Sequence, residues 1–187
     1  MSNYQAVSYE EASPELKDIY DDVCMTLGLL EAPNWLTHFG KAPHLTKGMW
    51  QMLKPILHES HLSPLLVEFI MFAVAYRRSA PYCLELHASN ILRTTKTLKY
   101  DDLRDIVENK SHGLVPDNFH IALDVASQLA IAPCSLKSEE FARLAQAGFS
   151  EVQAMEITTI VSAAMYFNTY TFAADLPITE GIVKHKD

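Results

Sequence analysis

Helix start signals recur along the chain, each where apolar residues begin to repeat with a helical period. Pro14 and Pro64 each follow a serine that can cap a helix, and Ser150 with Gln153 forms a capping box. Gly28 is the residue type that most readily ends a helix in the left-handed conformation. The alternating β-branched pattern of strands does not recur. The sequence therefore predicts an all-α fold.

The amount of apolar material indicates how many domains the chain forms. Of its 187 residues, 49% are hydrophobic and 20% are charged, which suffices for one substantial core. The polar loop at 109–118 is the one candidate boundary, but the segments on either side are small for separate folding. We therefore expect a single domain, with an N-terminal helical arm over 1–40, core helices over 41–178 and a polar tail over 179–187.

Charge and motif content exclude several classes of function. The formal net charge is −8 and the 15 Lys and Arg residues are scattered, whereas nucleic-acid binding needs clustered basic residues. Phosphate-binding glycine loops, the G-x-S-x-G motif and the H-E-x-x-H motif are absent from the sequence. The apolar runs at 65–76 and 157–174 are more typical of buried helices than of membrane spans, because the first is short and contains Glu68 and the second is rich in Thr, Ser and Asn.

The cysteines and histidines indicate neither a disulfide framework nor a metal site. Cys24, Cys83 and Cys134 form no C-x-x-C motif and no zinc-ligand spacing. The first residues lack the basic and apolar regions of a signal peptide, so we expect a reducing, cytoplasmic location. His58 and His61 lie three residues apart, which is more typical of a solvated turn than of a metal site. We predict no metal and no cofactor.

Two long apolar stretches, one in each half of the sequence, carry a glutamate near their start. Glu68 lies in VEFIMFAVAY and Glu156 in MEITTIVSAAMYF, so the fold is predicted to have two weakly repeated halves. Both stretches are apolar on most sides, which is more apolar surface than a small monomer covers. We therefore expect a homo-oligomer.

Glu68 is the only charged side chain between residues 62 and 76. Its neighbours one helical turn away include Leu65, Met71 and Phe72, so its carboxylate lies on an apolar face. Burial of a carboxylate without a partner costs several kcal/mol, so this group is either protonated or hydrogen-bonded to a partner. It either ties helices together or serves as a proton acceptor tuned by burial.

Cys83 and His87 share one face of the helix that is predicted to begin near Ser79 or Ala80. The unpaired N–H groups and the positive dipole end at a helix start favour a thiolate. His87 lies four residues on, close enough to exchange a proton with the sulfur directly or through a water. The alternative is a buried cysteine beside an incidental histidine.

The spacing of Glu68, Cys83 and His87 resembles the active-site signature of the carboxymuconolactone decarboxylase and alkylhydroperoxidase D-like superfamily. Its peroxidase branch reads Glu-x11-Cys-x-x-Cys-x-x-x-His, and the stretches NWLTHFGKAPHLTKGMW and ALDVASQLA are similar to flanking helices of its longer members. The resemblance covers roughly residues 12–177. It implies an all-helical fold assembled as trimers or hexamers, with Cys83 as the attacking thiol and Glu68 and His87 as its proton relay.

The sequence departs from the peroxidase pattern at two positions. Ala80 takes the place of the earlier cysteine, which in that branch resolves the sulfenic acid, and Tyr82 stands where the type member has a histidine. Without a thiol at position 80, a sulfenic acid on Cys83 cannot close the usual disulfide. Its reduction would need an external thiol, Cys24, Cys134 or a neighbouring subunit.

Three functions are compatible with these residues. The first is an antioxidant thiol peroxidase that reduces a hydroperoxide through Cys83 and uses an external thiol reductant. The second resembles the decarboxylases of the superfamily: a lyase in which Glu68 or His87 moves a proton on a cyclic lactone acid, with Arg77 or Arg78 as the cation for that acid. The third is a non-enzymatic oligomeric protein with a degenerate site.

Overall fold

The computed structural model describes residues 2–110 and 113–178, and these contain helices and turns but no β-strand. The all-α prediction is therefore confirmed, while the predicted polar tail over 179–187 lies outside the described residues. The helices in chain order are α1 (Pro14–Leu27), α2 (Asn34–Thr37), α3 (Pro43–His58), α4 (Pro64–Arg77), α5 (Pro81–Thr95), α6 (Tyr100–Val107), α7 (Asp117–Ile131), α8 (Ser138–Gln146) and α9 (Glu151–Ala173), with a 3-10 turn at Pro133–Ser135.

Local signals account for most of the helix boundaries. The Ser13 hydroxyl accepts a hydrogen bond from the first turn of α1, and Gly28 ends that helix with φ of +64°, both as the sequence predicts. Helix α3 contains Pro55 and continues past it to His58, although the HLTKGMWQMLKPIL stretch of the sequence predicts a helix that bends or ends near this proline. Proline removes one backbone donor from a helix, and the residues that follow Pro55 still complete another turn.

The described residues form two compact units, one comprising the residues up to 59 together with those from 170 onward and the other 60–169. In the first unit α1 packs against α3. The Asp22 carboxylate accepts hydrogen bonds from the Trp50 indole (2.7 Å) and the Lys54 ammonium (2.8 Å). These bonds, first from Lys54 and then from Trp50, hold the pKa of Asp22 below its usual value.

Helix α4 is the central element of the second unit. Every residue from Phe69 to Ala75 is buried, because α4 packs against α5 and α7 and also contacts α6. Its apolar surface on all sides is therefore covered within its own unit. None of the described helices combines the length and the apolar character that a membrane span requires.

Candidate active site

The turn between α4 and α5 places the start of α5 directly beside the end of α4. Ser79 adopts a left-handed conformation with φ of +53°, and its N–H donates to the Tyr76 carbonyl at 3.2 Å. The Ala80 N–H donates to the Ala75 carbonyl at 3.0 Å. These two bonds form a Schellman motif, so the tight turn folds α4 and α5 into a helical hairpin.

Cys83 is the third residue of α5, in the first turn after the Pro81 that opens the helix. Its side chain is only 3% exposed, and it carries no disulfide. The dipole and the amide groups at this helix start favour a negative charge on the sulfur. Ala80 is the N-cap residue of α5, is also 3% exposed and provides no side-chain cap. The position at which the sequence departs from the two-cysteine pattern is therefore buried, three residues before Cys83.

The structure brings Glu68 of α4 and His87 of α5 together. The Glu68 Oε2 atom lies 2.8 Å from the His87 Nδ1 atom, with side-chain exposures of 22% and 13%. Of the two outcomes expected for a glutamate on an apolar face, the hydrogen-bonded partner is the one observed. A carboxylate accepts, so Nδ1 carries the hydrogen and Nε2 is left as the basic nitrogen. This tautomer suits a base that takes a proton from a thiol.

Asn90 joins this cluster and was not identified from the sequence. Its Nδ2 atom donates to Glu68 Oε1 at 3.1 Å, so both oxygens of the carboxylate are engaged by side chains from α5. Asn90 lies three residues after His87 and seven after Cys83, which places all three on one face of the helix. That spacing is the signal that could have identified it. We call Glu68, His87 and Asn90, with Cys83 on the same face, the α4–α5 cluster.

The other two cysteines lie in different surroundings. Cys134 is exposed in the 3-10 turn that follows α7, and Cys24 is half-buried in α1 of the first unit. Neither forms a disulfide. Their role as a resolving thiol stays a hypothesis.

Arg77 and Arg78, the cations considered for an acidic substrate, contact backbone carbonyls. The Arg78 Nη1 atom donates to the Ala130 carbonyl at 3.2 Å, and the Arg77 Nη2 atom lies 3.5 Å from the Val107 carbonyl. These carbonyls are near the C-terminal ends of α7 and α6, where cations are stabilising. The two guanidinium groups thus have a structural use at the end of α4.

His61 forms a second glutamate–histidine pair. Its Nδ1 atom lies 2.8 Å from Glu156 Oε1, its backbone N–H donates to the same carboxylate at 3.0 Å, and the Ser60 hydroxyl donates at 3.1 Å. Burial raises the pKa of Glu156, but the hydrogen bonds from His61 and Ser60 lower it more, so the pKa falls below its ordinary value. Among residues 2–110 and 113–178, no group of three His, Cys, Asp or Glu side chains could hold a metal ion.

Comparison with known proteins gives a fold relationship. No family model and no curated protein matches the sequence. Among solved structures, the debrominase Bmp8, crystallised as a cysteine-to-alanine variant with 2,3,4-tribromopyrrole, is 23% identical with a TM-score of 0.80 over 97% of this chain and 96% of its own. An alkylhydroperoxidase AhpD core protein from Ralstonia eutropha JMP134 is 17% identical, with a TM-score of 0.83 over 97% and 94%.

A third structure, an uncharacterized peroxidase-related protein from Silicibacter sp. TM1040, is 19% identical with a TM-score of 0.76, covering 95% of this chain and 94% of its own. The chain therefore has the fold of the alkylhydroperoxidase D-like proteins over nearly its whole length. Sequence identities this low establish the fold alone. The chemistry of the site is therefore inferred from the geometry of the α4–α5 cluster.

Proposed function

We propose that this protein is a one-cysteine thiol peroxidase, in which Cys83 reduces a hydroperoxide and Glu68 and His87 form its proton relay. The observation that carries the proposal is the 2.8 Å bond between Glu68 and His87 Nδ1, one helical turn beyond a buried cysteine at the start of α5. A base oriented by a carboxylate and placed next to a nucleophile is the arrangement that activates a thiol.

In the first half-reaction His87 Nε2 takes the proton of the Cys83 thiol. The Glu68 carboxylate, bonded to Nδ1, stabilises the imidazolium that results. The thiolate attacks one oxygen of the hydroperoxide, the O–O bond breaks, and Cys83 becomes a sulfenic acid. The departing alkoxide takes the proton from His87 and leaves as an alcohol. The peroxide is reduced by two electrons and the sulfur is oxidised by two.

The second half-reaction needs a reductant from outside the site, because Ala80 offers no thiol. One molecule of an external thiol condenses with the sulfenic acid, releasing water and leaving a mixed disulfide on Cys83. A second molecule attacks that disulfide, restores the Cys83 thiol and departs as an oxidised dimer. Because Cys83 is only 3% exposed, a small-molecule thiol can reach it more easily than a protein thiol. We expect such thiols to be available in a reducing cytoplasm.

A peroxide-consumption assay with dithiothreitol tests the proposal. We expect Cys83→Ser to reduce consumption to the background rate and to lose the sulfenic acid detected by mass spectrometry on peroxide-treated wild type. Cys134→Ser removes an exposed thiol and serves as the control: it should keep wild-type turnover, because dithiothreitol restores Cys83, and a loss here would instead assign Cys134 as the resolving thiol. Wild-type turnover in Cys83→Ser would overturn the proposal.

Reductive dehalogenation is a second candidate, favoured by the fold shared with a debrominase whose cysteine-to-alanine variant was crystallised with a bromopyrrole. The Cys83 thiolate would take bromine from an electron-rich bromoaromatic, and the ring carbon would take the proton held by His87. External thiols would then displace bromide and restore Cys83, with two electrons passing from thiol to substrate. Bromide release from 2,3,4-tribromopyrrole, compared with peroxide consumption in the same preparation, discriminates between the two.

We also propose that the protein acts as a homo-oligomer of identical chains. Large apolar side chains on α9 are exposed in the second unit: Val152 by 50%, Met155 by 63% and Tyr166 by 44%. Surfaces of this kind are commonly covered by another copy. Sedimentation velocity should give a mass that is a multiple of 21.0 kDa, and a monomer at all concentrations would contradict this expectation.

A further inference from the structure

The Glu68 carboxylate is held at both of its oxygens by donors from a single helix. His87 Nδ1 is 2.8 Å from Oε2, and Asn90 Nδ2 is 3.1 Å from Oε1. The two donors are three residues apart on α5, and Glu68 is the only charged side chain in the middle of α4. The orientation of the carboxylate is therefore set by a pair of bonds and not by the histidine alone.

The amide donor also determines how the acceptor atoms of the carboxylate point. An Asn NH₂ group only donates, so Oε1 of Glu68 accepts from Asn90 while Oε2 stays turned toward His87. The Nδ1 hydrogen of His87 is bonded there, and this acceptance leaves Nε2 as the base. A carboxylate that is free to rotate would hold the imidazole less firmly and would support an imidazolium less well.

We propose that Asn90 is a positioning residue of the thiol relay: it fixes the orientation of the Glu68 carboxylate, and through Glu68 it keeps His87 in the tautomer that accepts the proton of Cys83. This inference rests on the proposed function, because it assigns Asn90 to the same reactive thiol. Asn90 bonds to Glu68, so its effect on the reacting sulfur passes through the carboxylate and the histidine of the relay.

The test is the rate of Cys83 alkylation by iodoacetamide as a function of pH, followed on the Cys83 peptide by mass spectrometry. In Asn90→Ala the loss of rate on the acidic side should move to higher pH by about half a unit, because a less firmly oriented Glu68 supports the His87 imidazolium less well and the Cys83 thiolate beside it is then less stable. In Asn90→Asp the shift should be larger, about one unit or more, because an acceptor replaces the donor and repels the Glu68 carboxylate from the position in which it bonds to His87. Thr94→Ala, which removes an exposed hydroxyl bonded to the Asn90 carbonyl at 2.9 Å, is the matched control on the same helix and should superimpose on wild type.

A merely structural role would scale the rate equally at every pH or lower the melting temperature without moving the profile. Profiles of both Asn90 variants that superimpose on wild type after scaling would overturn the inference and leave the proposed function standing. If Cys83 of the wild-type protein shows no elevated reactivity at any pH, both the proposed function and the role of Asn90 are wrong. A shift in both variants that disappears when each is combined with Glu68→Gln would show that Asn90 acts through Glu68.

Discussion

The second unit contains two glutamate–histidine pairs with the same distance and different surroundings. Glu68 and His87 join two packed helices, with the histidine side chain 13% exposed, whereas Glu156 and His61 join α9 to a turn, with the histidine 70% exposed. In both pairs the Nδ1 atom lies 2.8 Å from a carboxylate oxygen. The pair in the α4–α5 cluster shares its helix face with a buried thiol.

The surroundings, and not the length of the carboxylate–imidazole bond, distinguish the two pairs. The Glu156 carboxylate also binds the backbone N–H of His61 and the hydroxyl of Ser60, and Gln153 of the same helix donates to the His61 carbonyl at 3.1 Å. Those bonds satisfy the polar groups of the turn that leads into α4. In the part of the chain that the structure describes, the partners of the Glu68 carboxylate are the side chains of His87 and Asn90, which is the arrangement that the proposed proton relay requires.

Replacement of the two histidines should give the largest difference. His87→Ala removes the proposed base, one helical turn from Cys83, and we expect Cys83-dependent turnover to fall by about 10²–10⁴-fold. His61→Ala should leave turnover unchanged and should change stability by about 1 kcal/mol or less, because the His61 side chain is 70% exposed. Steady-state rates and thermal melts of both variants test this contrast. Equal losses of turnover in the two variants would contradict the assignment of the relay to His87.

Replacement of the two glutamates should separate activity from stability. Glu68→Gln keeps a hydrogen-bonding group but loses the charge that supports an imidazolium, so turnover should fall by about 10–10²-fold. Glu156→Gln should keep turnover and lose roughly 1–2 kcal/mol of stability, since the carboxylate anchors a backbone N–H. The melting temperature changes by roughly 2–4 °C per kcal/mol, so differential scanning calorimetry detects that loss. A Glu156→Gln variant with a wild-type melting temperature but poor turnover would contradict the assignment of the relay to Glu68.

The pH dependence of stability provides the smallest effect. Because hydrogen bonding lowers the folded pKa of Glu156 below 4.5, its stabilising contribution is complete above that pH and is lost as the pH falls through the lower folded value. The difference in melting temperature between wild type and Glu156→Gln should therefore narrow below pH 4.5. If the difference in melting temperature stays constant as the pH falls, the negative charge of Glu156 is not what stabilises the turn.

The parts of the site that depend on local signals could be predicted from the sequence. Ser63, as the cap of α4, and the proline that opens α5 mark where both helices begin, so the position of Cys83 near a helix start follows from chain order. The helical period places His87 on the same face. The pairing of Glu68 with these residues was an expectation from the family resemblance, and the structure gives the distance for one of the two, the 2.8 Å between Glu68 and His87.

The remaining contacts depend on which helices touch, which period and capping do not specify. In the sequence Asn90 is an ordinary polar residue of α5, and its bond to Glu68 becomes visible only when α4 is packed against α5. His61 was predicted to lie in a solvated turn, and its side chain is indeed largely exposed, but its partner Glu156 is 95 residues away in the sequence. Single-sequence patterns carry no information about such pairs.

The most direct test of the relay is the pH dependence of Cys83 reactivity in wild type and His87→Ala. A thiolate-selective alkylating reagent reports the fraction of ionised sulfur. We expect the wild-type midpoint to lie well below that of an unperturbed cysteine, about 8.5, and to return toward that value in His87→Ala. A wild-type midpoint at or above about 8.5 would contradict the claim that Glu68 and His87 activate Cys83.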